Sequence, residues 1–93
     1  MSPVRDNFQY VYVLRSLVDG RFYTGCTSDL RARFSQHQKG LVVSTKHRRP
    51  FELLYYEACT NKDDAYAREK YLKTGMGKRY INNRLKRALS LTG

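Results

Sequence analysis

The segment Phe8–Arg15 constrains the fold most: apart from Gln9 and the final arginine, every residue in it is β-branched, aromatic or aliphatic. Side chains alternate along a strand, so Phe8, Tyr10, Tyr12 and Leu14 share one face while Val11 and Val13 occupy the other. A strand that is apolar on both faces needs cover on both, and is expected at the centre of a sheet. Asp19-Gly20 follows, a strong hairpin signal, since both central residues of that turn need positive φ. Arg21 to Gly25 is then expected to return antiparallel, with Gly25 ending the second strand. A two-residue turn places Tyr23 opposite Ser16 and on the same face as Tyr12; a bulge or wider loop would change that register.

Thr27 or Ser28 caps the next helix, and Asp29 complements its positive end. Leu30 and Phe34 form its apolar stripe, which Arg33 and His37 flank, so that they project near the sheet edge. Lys39-Gly40 stops the helix. Leu41 to Pro50 reads as a mobile, solvated loop rich in base, with Ser44, Thr45, Lys46, His47, Arg48 and Arg49. Phe51 to Cys59 is a third strand, with Leu53, Tyr55 and Glu57 alternating against Leu54, Tyr56 and Ala58. A helix opens in Thr60–Asp64, runs to about Thr74 and ends at Gly75. Gly77 marks a break before a last helix, Lys78 to Leu89, whose stripe of Ile81, Leu85, Ala88 and Leu89 opposes Lys78, Arg79, Lys86 and Arg87. The expectation is a single α+β domain with its core over residues 8–85, in which helices flank a small three-stranded antiparallel sheet, and residues 1–7 form a tail.

Charge then bounds the partners. The 93 residues carry 18 Lys and Arg against 8 Asp and Glu, a net charge of +10. A field of that sign concentrates polyanions, nucleic acid above all, although a basic surface also serves solubility alone. A membrane surface fits less well, because no helix pairs a basic face with a long exposed apolar one. Cys26 and Cys59, even with His37 and His47, show no CxxC or HxxxH spacing, which argues against a disulfide framework or a zinc site. They are expected as free thiols in a reducing compartment. Met1 to Asn7 lacks the apolar core of a signal peptide, and no run is long enough to span a bilayer, so a soluble cytoplasmic protein is expected.

Glu69 breaks the pattern. Ala65, Leu72 and Met76 define the apolar face of its helix, and Glu69 falls within that stripe. A lone carboxylate there costs several kcal/mol unless it is paired, protonated or bound to a cation. Two readings follow: a buried pair with Arg33, Arg68 or a tyrosine hydroxyl, or a metal ligand at the edge of a cleft. Mg²⁺ takes one or two carboxylates plus phosphate oxygens and waters, which suits the second.

Tyr10-Val11-Tyr12 and Tyr23-Thr24-Gly25, followed by Arg33, His37 and later Glu69, resemble the GIY-YIG nuclease domain. The resemblance covers Phe8 to Leu85, and the stretches YVYVL, DGRFYTG, DLRARFSQHQKG, RPFELLYYE and AREKYLK resemble its small stand-alone bacterial group, UPF0213-like. Tyr10 stands where the first glycine is common and Thr24 replaces isoleucine; neither change removes a reacting group. Asn82 and Asn83 are candidates for the family's late asparagine, and Lys46 and His47 for a variable basic position in the middle loop.

The resemblance implies metal-dependent hydrolysis of a DNA phosphodiester. It makes Tyr12 the general base or its relay, Glu69 the ligand of one Mg²⁺ or Mn²⁺, and Arg33 the phosphate clamp, with Tyr23 and His37 positioning water, substrate or Tyr12. Tyrosine titrates near about 10, so Tyr12 needs a nearby cation to act as a base, and Arg33 and the metal are the candidates. Lys46, Arg48 and Arg49 in the loop, with Lys78 and Arg79 on the last helix, are the candidate contacts to the nucleic-acid backbone. A non-catalytic nucleic-acid-binding module on the same fold is the alternative. A protein-interaction domain would leave the charge unexplained.

Overall fold

A strand with two apolar faces does sit at the centre. The computed structural model describes residues 7–90, so all of the expected N-terminal tail except Asn7 lies outside the described residues. Its elements are β1 (Gln9–Ser16), β2 (Phe22–Thr27), α1 (Leu30–Gln38), β3 (Phe51–Cys59), α2 (Lys62–Leu72), α3 (Gly75–Arg84) and α4 (Lys86–Ser90). The sheet order is β2-β1-β3, antiparallel throughout. On one face Tyr12, Leu14 and Phe51 are buried under Leu30 and Phe34 of α1. On the other, Val11 and Val13 pack against Ala65 and Leu72 of α2 and Ile81 of α3. Among the described residues no helix is long and apolar enough to cross a membrane.

The first turn is wider than a two-residue hairpin. Tyr23 lies opposite Leu14 rather than Ser16, and the Ser16 amide donates to the Arg21 carbonyl at 3.0 Å. Ser16 Oγ accepts from the amides of Val18 and Asp19 at 3.1 and 3.2 Å, and the Gly20 amide reaches the Ser16 carbonyl at 2.9 Å. Only Gly20, at φ +73°, takes the left-handed conformation, whereas a two-residue turn needs it at Asp19 as well. The slip is two residues, so Tyr23 keeps its place on the Tyr12 face. Nor does Gly25 end β2, which continues to Thr27. Asp29 itself is the cap of α1, its side chain accepting from the Ala32 amide at 3.1 Å.

A bulge interrupts the β1–β3 pairing: Val13 faces Tyr55, but Leu14 faces Leu53. Leu54 is the extra residue, and the strict alternation expected of β3 fails there. Leu53 therefore joins Phe51 and Tyr56 on the Tyr12 face, while Tyr55 and Glu57 stay on the Val13 face.

The helix break also moves. α2 ends at Leu72, and Thr74 caps α3 by accepting the Gly77 amide at 3.1 Å. The new phase turns Met76 outward, 65 % exposed, instead of onto the apolar face. A second break at Leu85 separates α3 from α4; Ile81 is buried, Leu85 and Leu89 are half-buried and Ala88 is exposed. Gly77 is not a breaker. A Cβ there would stand 2.1 Å from the Tyr71 carbonyl oxygen and 2.4 Å from the Leu72 Cα, so the glycine lets α3 cross α2 at backbone contact.

Gly77→Ala should therefore destabilise the protein by about 1–3 kcal/mol, as forced overpacking does. Gly75→Ala, where an added Cβ meets nothing within 4 Å, should leave the urea midpoint within a few tenths of a unit or raise it. Matching midpoints for the two variants would refute the crossing as the reason for Gly77.

Candidate active site

Tyr12 points from the middle of β1 toward β2, and its pairing partner there is Gly25. A Cβ at position 25 would lie 2.4 Å from the Tyr12 hydroxyl oxygen and 2.6 Å from Cζ. The phenol thus crosses β2 through space that any other residue would fill. The glycine's φ is not positive, so room rather than conformational freedom is what it supplies.

His37, in the last turn of α1, is fully buried and reaches the same hydroxyl: Nε2 lies 2.9 Å from Tyr12 Oη. Its Nδ1 lies 2.8 Å from Thr45 Oγ1, and Thr45 Oγ1 in turn lies 3.4 Å from the Val42 carbonyl oxygen. Tyr23 closes the ring edge-on, its centroid 5.0 Å from that of His37, and Phe51 does so from below at 5.9 Å. Burial pushes the imidazole down to about 4, and the Arg33 charge adds to the effect, so His37 is neutral at pH 7. Burial raises Tyr12 above its ordinary value; Arg33 pulls it back, and the negative charge of Glu69 pushes it further up. Arg33 is thus the cation expected beside Tyr12, but it does not outweigh burial, and the phenol keeps its proton at neutral pH.

Arg33 is half-buried on α1, with Nη1 donating to Gln36 Oε1 at 2.9 Å. Glu69 comes from the opposite face of the sheet, around β2, and acts electrostatically on both Tyr12 and Cys26. Its partner is none of those expected: Oε2 accepts from Lys73 Nζ at 2.7 Å, one helical turn on. Arg68 is engaged instead with Glu57, at 2.8 Å. Cys26 beside Glu69 is raised to about 11, by burial first and then by the carboxylate, so it stays a thiol. Among the described residues no group of three or more His, Cys, Asp or Glu gathers here. One partly exposed carboxylate fits an ion whose remaining positions are filled by water and phosphate oxygens, and does not fit a protein-enclosed metal.

The structure therefore gathers Tyr12, Tyr23, Arg33, His37 and Glu69 around one stretch of β2. Thr45 and Lys73 were not foreseen among them; Lys73 was legible as a cation one turn beyond Glu69, whereas no pattern marks Thr45 in its basic loop. That loop is not free. Val42 and Thr45 are buried, and Arg48 donates to Asp19 at 3.0 Å and to the carbonyls of Arg21 and Phe22 at 3.2 and 3.4 Å. Arg48 thus ties the loop to the hairpin instead of standing open to a ligand. Lys46, His47 and Arg49 remain exposed, as do Lys78, Arg79, Asn82 and Asn83 on α3. A cleft of about 290 Å³ opens beside Tyr23, lined also by Thr24, Arg48, Lys73 and Lys78, with no acidic residue in its wall.

Residues 8–85 match the profile of the GIY-YIG catalytic domain. The chain belongs to the GIY-YIG family. That family is one of nucleases, and nucleic acid is its substrate class. Among curated proteins this GIY-YIG chain is 42% identical to a UPF0213 protein of Staphylococcus epidermidis over 66 residues, 70% of this chain and 79% of the relative. A UPF0213 protein of Clostridium perfringens is 40% identical over 65 residues, 69% of each chain. The solution structure of the UPF0213 protein BH0048 from Bacillus halodurans superposes with a TM-score of 0.52 at 32% identity, covering 82% of this chain and 83% of the other.

The buried imidazole makes a pH prediction. The unfolded chain binds a proton at histidine near 6.5, the folded protein only near 4, so the unfolded state takes up the proton first. His37 should therefore destabilise the fold as pH falls from about 6.5 toward 4, and contribute no such loss above that window. NMR titration of its ring protons should give a midpoint close to 4; a midpoint above 6 would contradict the burial described.

Proposed function

We propose that this GIY-YIG protein is a divalent-metal-dependent endonuclease that hydrolyses DNA phosphodiester bonds, using Tyr12 and His37 to take the proton of the attacking water. The observation that carries this reading is the buried hydrogen bond between Tyr12 Oη and His37 Nε2, 2.9 Å long, set beside Arg33. A surface that only binds nucleic acid draws on exposed cations and has no use for a buried tyrosine–histidine pair.

The raised pKa of Tyr12 argues against a standing phenolate as the base. A neutral phenol serves instead as a relay: its oxygen accepts the water proton while its own proton passes to Nε2 of His37. An arriving phosphate adds negative charge near the imidazole and raises its affinity for that proton. Arg33, whose guanidinium matches the phosphate fork, opposes charge that develops on the phosphoryl oxygens. Tyr23 walls the site and holds the His37 ring in place. Glu69 would hold the ion, with the Lys73 ammonium displaced from it. A bound Mg²⁺ or Mn²⁺ supplies Lewis-acid stabilisation of the leaving oxygen. Lys78 and the exposed cations Lys46, Arg49 and Arg79 meet the nucleic-acid backbone, largely without regard to sequence.

Incubating the purified protein with plasmid and linear DNA in Mg²⁺, Mn²⁺ or EDTA tests the proposal. Cleavage should require the metal and vanish in Glu69→Ala. Metal-independent cutting, or cutting that survives Glu69→Ala, would refute it, and binding without any cutting would favour the non-catalytic module.

Position also divides the labour between Arg33 and the loop. Arg33→Ala should lower single-turnover cleavage at least about tenfold, roughly 1.4 kcal/mol of barrier, with little change in DNA affinity. Lys46→Ala with Arg49→Ala should weaken binding and reduce the salt slope by about one per lost contact. Arg48→Ala should act chiefly on stability, since its guanidinium is tied to the hairpin. Equal affinity losses in the Arg33 and loop variants, with saturated rates unchanged, would refute the division.

A further inference from the structure

We infer that Thr45 is a positioning residue which holds His37 as the Nδ1–H tautomer, leaving Nε2 bare beneath the Tyr12 hydroxyl. The proton count decides the direction of the chain. Tyr12, neutral His37 and Thr45 bring three protons to a row whose far end is the Val42 carbonyl oxygen, which only accepts. In one direction Tyr12 O–H donates to Nε2, Nδ1–H donates to Thr45 Oγ1, and the Thr45 hydroxyl donates to Val42. Every proton then has an acceptor. In the other direction Thr45 donates to Nδ1 and Nε2–H donates to Tyr12, and the phenolic proton, at a residue only 1 % exposed, is left with no acceptor among the described residues. A buried donor left unmade is the more costly arrangement. The first direction also leaves a Tyr12 lone pair open toward Arg33, whose positive charge pulls the phenol's pKa down.

The hydroxyl of Thr45 is held from both sides. Its amide donates to the Val42 carbonyl at 3.0 Å, and its carbonyl accepts from the Arg48 amide at 2.9 Å. Arg48 in turn fastens the loop to the hairpin. Thr45 is 1 % exposed, so no water competes for Nδ1. The kinetic consequence rests on the nuclease reading above, because only a bare Nε2 can receive the Tyr12 proton; the tautomer itself does not.

Long-range ¹H–¹⁵N correlation spectra of histidine-labelled protein near neutral pH read the tautomer directly. Wild type and Thr45→Ser should both show His37 as Nδ1–H, and Thr45→Val should shift it to Nε2–H or to a mixture. In single-turnover cleavage Thr45→Val should fall at least about tenfold at unchanged DNA affinity, with Thr45→Ser restoring most of the rate. Nε2–H in the wild-type protein, or an unaltered tautomer in a folded Thr45→Val, overturns the inference. If the valine variant does not fold, the wild-type and serine spectra decide: Nδ1–H in both supports the assignment, and Nε2–H in either overturns it. A wild type that cuts no DNA under any metal would remove the nuclease reading while the tautomer result stands.

Discussion

The site depends on an absence. Tyr12 can lay its hydroxyl across β2 only because position 25, directly opposite on the neighbouring strand, carries no side chain. A buried phenol must find a partner, and here it meets an imidazole on the helix that covers the same face. α1 is held there by Leu30 and Phe34 packed on Tyr12, Leu14 and Phe51, so the apolar packing and the hydrogen bond fix each other's geometry. Removing water from that space sharpens every electrostatic effect inside it.

Burial therefore governs the protonation states more than any single charge. It holds His37 neutral, with the Arg33 charge acting in the same direction, and keeps Tyr12 protonated in spite of Arg33. A carboxylate arriving around the other side of β2 is balanced meanwhile by an ammonium one turn along its own helix. The two halves of the site come from opposite faces of the sheet and meet only because β2 is a short strand at its margin.

Much of this was legible in the sequence. Two-faced apolar character put β1 at the centre, and the period of two put Tyr12 and Tyr23 on one face, where a two-residue slip of the turn could not separate them. Helical spacing places Arg33 and His37 beside the stripe of Leu30 and Phe34, and Arg33 is half-buried there. His37 goes further in than a flanking position implies and is the fully buried residue of α1. What escaped depended on contacts distant in sequence. Leu54 bulges because two stretches of β3 pair in different registers with β1, which no local pattern encodes. Met76 and Gly77 depart from the sequence pattern because the cap at Thr74 resets the helical phase, and Thr45 because a polar residue in a basic loop gives no sign that the loop folds inward.

The bulge at Leu54 bears on how copies of this chain meet one another. β3 is the longer outer strand, and its face carries the exposed rings and chains of Leu53 and Tyr56. A straight outer strand of that composition offers unpaired amides and carbonyls in register to the same strand of another molecule. An extra residue bends the strand and increases its twist, so the row of free backbone groups no longer lies on one line. The irregularity that spoils the alternation thus also breaks the straight row of backbone groups that edge-to-edge pairing needs.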